Sequence, residues 1–328
     1  MLRLRDYYRW EHGFAPWTEV DGAKILDWIE QREECWSDLT DREPEPLIWG
    51  KDVINPFETE KINIELAIHQ LYYGAGYAAF LKPTYFIARI IRIEQFKQFR
   101  IIYLGDELAR DLFTAPAQTR GQEIVARRQP MTAFLWDTVL NAGGRRRQAV
   151  DAALAEYRID RSDLARPPQE WTDKFYHLVD LEIEASVWHE YGEVSDQAFP
   201  LPVWRHLIAN HPHSRLELMA RTIKDLLADT GPDGRLAFIV DGQRLASLAL
   251  YLGRLEGLPQ RLFPEIHPAF ERFLTDRNWQ IVEEVRRTAW DRFVGMAQDM
   301  VALVEESADR ADWLSEQVEA RFFKPWGL

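Results

Sequence analysis

The chain has 328 residues, 46% of them hydrophobic and 28% charged, which is enough for one large domain or two ordinary ones. Its net charge of −13 opposes a broad phosphate-binding surface, so we expect no nucleic-acid partner. The single cysteine, Cys35, excludes an intramolecular disulfide framework and a thiolate-rich metal site. This cysteine usage favours a cytoplasmic protein.

Export and membrane insertion are both disfavoured by the sequence. The first 14 residues carry positive charge but lack the apolar region and the cleavage site of a signal peptide. The longest uncharged apolar run, near residues 72–81, is about half the length that a membrane span requires. We therefore expect no membrane span.

The N-terminal half is predicted to consist of helices. One helix is expected over residues 19–36, and Asn55 followed by Pro56 is typical of the start of another, over residues 57–73. Residues 85–108 keep a helical period of apolar side chains, although their β-branched content leaves the end of this stretch open between helix and strand. Shorter helices are predicted over residues 122–128, 131–141 and 145–157.

The C-terminal half is organised around residues 170–193, which predict a helix of about six turns. Apolar residues surround this helix, and such a helix is normally buried. Ser214 and Glu217 form a capping box, which predicts a helix over residues 215–229. Further helices are predicted over residues 236–257 and 276–323, the last of them broken once.

These elements predict an all-α protein, a multi-helix bundle of two closely packed helical halves with little or no β structure. Arg166, Pro167 and Pro168 interrupt the pattern most strongly and are the expected linker. The predicted regions are 1–166 and 169–328, as two domains or as one continuous domain.

The strongest chemical signal is a set of carboxylates and histidines on two predicted helices. Glu182 and His189 are two helical turns apart, and Glu193 follows one turn later. Glu65 and His69, four residues apart, would share a face of an earlier helix. Iron, manganese and zinc accept such mixed ligands, so the sequence predicts a metal site formed by these five residues.

Two functional hypotheses follow from these residues. In the first, the protein is a non-haem, metal-dependent oxidoreductase, and Glu190 interacts with the metal ligands without binding the metal itself. In the second, it is a non-catalytic helical scaffold or interaction protein whose buried carboxylates are structural. Acidic residues number 53 of 328, so histidine–carboxylate pairs at these spacings also arise without any metal.

Two other stretches suggest binding without catalysis. Aromatic residues between Tyr72 and Phe86 surround a glycine-containing bend and would line an apolar pocket or fill the core. The long C-terminal helix and the apolar tail, residues 322–328, would need cover from the body or from a second copy. The second possibility predicts a homo-oligomer.

Overall fold

The computed structural model describes residues 2–37, 42, 45–77, 83–112, 114–165, 169–307 and 310–327. The predicted linker, residues 166–168, lies outside them. No helix of the described residues is long and apolar enough to cross a bilayer. The chain divides into an N-terminal unit, Met1–Leu140 with Arg161–Ile183, and a C-terminal unit, Asn141–Asp160 with Glu184–Leu328.

The first 141 residues contain both helices and strands, so the prediction of an all-α helical bundle with little or no β structure is wrong. Their elements are α1 (Leu2–Glu11), α2 (Gly22–Ser37), β1 (Leu47–Trp49), β2 (Asp52–Ile54), α3 (Thr59–Leu66), β3 (Leu71–Tyr77), β4 (Pro83–Phe96), β5 (Phe99–Arg110), β6 (Ala117–Arg120), β7 (Glu123–Arg127) and α4 (Arg128–Asn141). The protein is therefore an α+β protein.

Five strands of the N-terminal unit form a curled, mixed sheet in the order β3-β4-β5-β7-β6. β5 and β7 are parallel, and the other neighbours are antiparallel. Register shifts between Ile87 and Arg92 interrupt the pairing of β4 with β5. Such irregularities increase the local twist of a sheet, which accounts for its curl. One core cluster of the sheet contains Tyr72, Phe86, Ala88, Ile102, Leu104 and Val125.

The largest error of the helical prediction concerns residues 85–108, which form the β4–β5 hairpin. Phe96 pairs with Phe99 across a two-residue turn in which Lys97 has a φ of 51°. Isoleucine, tyrosine and phenylalanine fit a pleated strand well, and here that preference outweighs the apparent helical period. The turn lacks the Asn-Gly or Gly-containing pair by which such hairpins are usually detected.

Two other predicted helices are shortened or replaced by strands. The helix predicted over residues 57–73 ends at Leu66, and β3 begins at Leu71 after a short 3-10 turn. Gln70, in the left-handed conformation, ends that turn. The residues predicted as a helix at 122–128 instead form β7, whose Ile124, Val125 and Ala126 are completely buried. A short apolar run of this kind fits a buried strand and a buried helix equally well.

The rest of the described chain is helical and agrees better with the sequence pattern. Its α-helices are α5 (Gly144–Glu156), α6 (Gln169–Ser195), α7 (Leu201–Asn210), α8 (Arg215–Thr230), α9 (Arg235–Asp241), α10 (Leu245–Arg254), α11 (Gly257–Leu262), α12 (Ile266–Asp276), α13 (Trp279–Ser307) and α14 (Ala311–Val318). The predicted N-cap is confirmed, because Ser214 Oγ accepts a hydrogen bond from the Glu217 backbone N–H at 3.1 Å. The Glu217 carboxylate accepts from the His213 backbone N–H at 2.6 Å rather than from that of Ser214, so the box is formed on one side only. The helix predicted over 236–257 is two helices, separated at Gln243 by a φ of 50°.

Candidate metal centre

The predicted metal ligands lie in different parts of the fold. Glu65 is at the end of α3 and His69 is in the following 3-10 turn, and both are exposed. Glu182 of α6 is completely buried and belongs to the N-terminal unit. His189 and Glu193, also on α6, are partly buried and belong to the C-terminal unit.

One three-residue group on α6 has the geometry of a metal site. His189, Glu190 and Glu193 each offer one ligand atom, and these atoms all lie within 4.8 Å of one another. The three residues occupy a little more than one helical turn. Among the described residues, Glu65, His69 and Glu182 join no such group. Glu190, predicted only to support the ligands, is one of the three residues of this group.

Asp229, in the last turn of α8, holds the His189 ring. His189 Nδ1 lies 2.7 Å from Asp229 Oδ1, and Arg235 Nη1 lies 3.2 Å from the same oxygen. The Arg235 guanidinium also donates to the Ala185 carbonyl oxygen of α6 at 3.3 Å. An imidazole that binds a carboxylate through Nδ1 has its orientation fixed and keeps Nε2 for another partner.

The charges of this pair support each other. Burial alone would raise the pKa of Asp229, but Arg235 and His189 hold that pKa below its ordinary value. Burial and Arg235 act to lower the pKa of His189, yet the Asp229 carboxylate outweighs them and raises it. Burial, with the Asp229 charge, also raises the pKa of Tyr251 on α10, so its hydroxyl stays protonated.

Close backbone packing sets the position of the cluster. A Cβ atom at Gly192 of α6 would lie 2.5 Å from the Ala228 carbonyl oxygen, and one at Gly234 would lie 2.2 Å from the same atom. Only glycine fits both places, so α6 and the start of α9 approach α8 beside Asp229. Arg286 of α13 donates to the Thr230 carbonyl oxygen at 2.5 Å and stabilises the end of α8.

A lysine is already paired with one of the candidate ligands. Lys224 Nζ contacts Glu193 Oε1 and also lies 5.2 Å from the centre of the Trp204 ring. The ammonium group therefore occupies one ligand oxygen in this structure. An ion could bind Glu193 through Oε1 only after the lysine had left that oxygen.

Sequence reasoning missed Asp229 because the sequence around it is typical of a helix end followed by a turn. A signal was present: an acidic side chain in the last turn of a helix opposes the helix dipole and needs a cationic partner. The five residues before Gly231 are all buried, and Asp229 is among them.

The comparisons with known proteins identify a family without assigning a reaction. Residues 1–127 match the N-terminal domain, and residues 132–321 the C-terminal domain, of a family described as of unknown function, DUF6866. No curated protein and no solved structure matches the chain. Since the two matches cover nearly the whole sequence, the chain belongs to the DUF6866 family.

Proposed function

We propose that the C-terminal unit binds a divalent transition-metal ion through His189, Glu190 and Glu193, and that the protein is a non-haem, metal-dependent oxidoreductase. The observation that carries the proposal is the 2.7 Å contact between His189 Nδ1 and Asp229. Metal-binding histidines usually donate their second ring N–H to a carboxylate in this way. The histidine is thereby oriented before an ion arrives.

The donor set favours certain ions. One imidazole and two carboxylates suit zinc, iron and manganese, whereas calcium and magnesium prefer oxygen ligands alone. Three protein ligands leave coordination positions open for water or a substrate, as catalytic sites require. Iron or manganese would add the redox chemistry that the proposal includes.

A structural role for the same residues is the second candidate. Lys224 neutralises Glu193, and Arg235 neutralises Asp229, so the charges are compensated without an ion. Buried networks of this kind orient helices in proteins that have no catalytic function. In that case the protein is a scaffold or interaction protein.

Metal binding to matched variants separates the two candidates. The parent, purified without chelator or affinity tag, would be analysed by elemental mass spectrometry and titrated with Fe(II), Mn(II) and Zn(II) under argon. The test variant is His189→Gln/Glu193→Gln. The control is His177→Gln/Glu170→Gln, which removes the same chemical groups from exposed positions of the same helix.

We expect about one ion per parent chain and an affinity at least about tenfold lower in the test variant. The control should bind like the parent. Equal binding by the parent and the test variant would refute the metal site and leave the structural role. Bound iron or manganese that cannot be reduced and reoxidised would limit the site to non-redox chemistry.

The expectations about partners and compartment also stay proposals. The net charge of −13 supports the absence of a nucleic-acid partner, and the cysteine usage supports a cytoplasmic location. Self-association through the C-terminal helix and tail is tested by light scattering. Phe322 and Phe323 are already buried within one chain, so the remaining tail would have to provide the contact.

A further inference from the structure

A cavity of about 280 Å³ lies within the N-terminal unit. Its wall comes from α1 and the turn after it, from β5, from the start of α4 and from Tyr176 of α6. Small-molecule sites usually begin at about 300 Å³, so the space suits a metabolite rather than a large cofactor. It shares no residue with the candidate metal centre.

Two buried arginines line this cavity and have hydrogen-bonding capacity left. Arg9 donates through Nε and Nη2 to the Thr18 carbonyl oxygen at 3.2 and 3.0 Å, which fixes its guanidinium. Its Nη1 lies 3.6 Å from the Asp6 carboxylate without forming a hydrogen bond. Arg110 Nη1 lies 3.7 Å from Glu107, and Arg110 Nε is buried without a hydrogen-bond partner among the described residues.

The nearest carboxylate is already bound to another arginine. Arg127 approaches one Glu107 oxygen through Nε at 2.7 Å and through Nη2 at 2.5 Å. The single negative charge of Glu107 is therefore shared between two guanidinium groups, and the Arg110 guanidinium is the more distant one. Arg110 therefore keeps part of its positive charge uncompensated, and an anion in the cavity would form charge-assisted hydrogen bonds with the guanidinium groups of the lining.

The other charged groups of the wall determine the sign of the ligand that the cavity suits. Arg128 is paired with Asp180 through two hydrogen bonds of 2.7 and 3.1 Å, so it contributes little net charge. Asp106 is exposed, which leaves Asp6 as the acidic group close to Arg9. Two buried arginines facing Asp6 give the inner wall a surplus of positive charge.

Aromatic side chains form the apolar part of the wall. Trp10 Nε1 donates to the Glu107 carbonyl oxygen at 3.0 Å, which fixes the indole, and the Arg110 guanidinium lies 5.4 Å from the Trp10 ring centre. Phe14 and Tyr176 also line the cavity. The cavity therefore combines charged side chains with aromatic faces, which suits an organic ligand that carries a charged group.

We propose that this cavity binds a metabolite-sized organic anion, with its carboxylate or phosphate group at Arg9 and Arg110 and its apolar body against Trp10 and Phe14. Both anionic groups match the planar fork of a guanidinium. The test therefore includes one probe of each kind.

Calorimetric titration of the full chain tests the proposal with 3-phenylpropionate, phenyl phosphate and the uncharged 3-phenylpropanamide. The test variant is Arg110→Gln. The matched control is Arg100→Gln, an exposed arginine at the other end of β5 whose side chain pairs with Glu123. We expect at least one of the two anions to bind the parent saturably. The uncharged amide should bind the parent at least about tenfold more weakly than that anion, and Arg110→Gln should bind the anion at least about tenfold more weakly than the parent does. Arg100→Gln should bind the anion like the parent.

A second variant keeps the test valid if Arg110→Gln unfolds. Ala133 of α4 lines the cavity and is partly exposed, so Ala133→Phe should fill the space without changing any charge. It should abolish binding while the melting temperature stays near that of the parent. The proposal is overturned if neither anion binds the parent, if the amide binds as well as the anions, or if Ala133→Phe binds like the parent. The better-binding anion identifies the ligand as a carboxylate or a phosphate.

Discussion

Asp229 in the C-terminal unit and Glu107 in the N-terminal unit are both buried carboxylates that lie within 3.7 Å of His189 and Arg235 and of Arg127 and Arg110, respectively, but their pKa values move in opposite directions. Arg235 and His189 both lie within 3.2 Å of Asp229 and hold its pKa down against burial. Burial outweighs Arg127 and Arg110 at Glu107 and raises its pKa.

The difference shows that the number of nearby cations does not decide whether a buried charge is stable. Arg110 lies 3.7 Å from Glu107, too far for a hydrogen bond. A charge that leaves water must regain the lost hydration through close, directed contacts. Asp229 has two such contacts on different residues, whereas Glu107 has them only from Arg127.

The largest predicted effect is that of Asp229→Asn. Removing this charge leaves the partly buried Arg235 beside a neutral amide and deprives His189 of its counter-charge, which should lower the free energy of unfolding by about 3 kcal/mol. The measurement is urea denaturation followed by tryptophan fluorescence. The control is Asp241→Asn, an exposed position at the end of α9, which should change that free energy by less than about 0.5 kcal/mol. Similar losses for both variants would mean that Asp229 is not stabilised by its contacts.

The packing around Asp229 can be tested without touching a charge. Gly234→Ala places a methyl group against the Ala228 carbonyl oxygen and should cost about 1–3 kcal/mol through overpacking. Gly295→Ala, within α13, meets no atom within 4 Å and should instead stabilise the protein by about 0.5–1 kcal/mol. Denaturation midpoints of the two variants give the comparison. If Gly234→Ala is neutral, close packing does not fix the position of Asp229.

The same two regions show what the sequence could predict. The proximity of His189 and Glu193 could be predicted because both lie on α6, where a spacing of four residues brings two side chains to one face. Asp229 lies 40 residues from His189, and their contact depends on how α6, α8 and α9 pack. Sequence periodicity carries no information about that packing.

Glu107 was missed for a different reason, because its strand was predicted to be helical. The β4–β5 hairpin turns at Lys97 and Gln98, which are not typical turn residues, and the parallel pairing of β5 with β7 joins distant segments. Local helix signals such as the Ser214 N-cap succeeded because their hydrogen bonds are made within a few residues. Sheets depend on partners that the local sequence does not specify.

The smallest predicted effect is that of Glu107→Gln, which should change the free energy of unfolding by about 1 kcal/mol or less at neutral pH. The amide resembles the protonated carboxyl, and its oxygen still accepts from Arg127. The pH dependence gives the sharper measurement. Since the folded-state pKa of Glu107 is raised above its ordinary value of 4.5, the folded protein keeps a proton that the unfolded chain has already lost only at pH values between these two pKa values.

The unfolding free energy of the parent should therefore fall as the pH rises from about 4.5 through the folded-state pKa of Glu107. The glutamine side chain of Glu107→Gln does not titrate, so it contributes nothing to this pH dependence. The difference in unfolding free energy, Glu107→Gln minus parent, should become more positive over that interval. Urea denaturation at several pH values measures it. If the difference becomes more negative, the ionised carboxylate is stabilised by Arg110 and Arg127 as Asp229 is by its neighbours. Arg110 would then have no surplus charge for an anionic ligand, and the contrast between the two carboxylates would disappear.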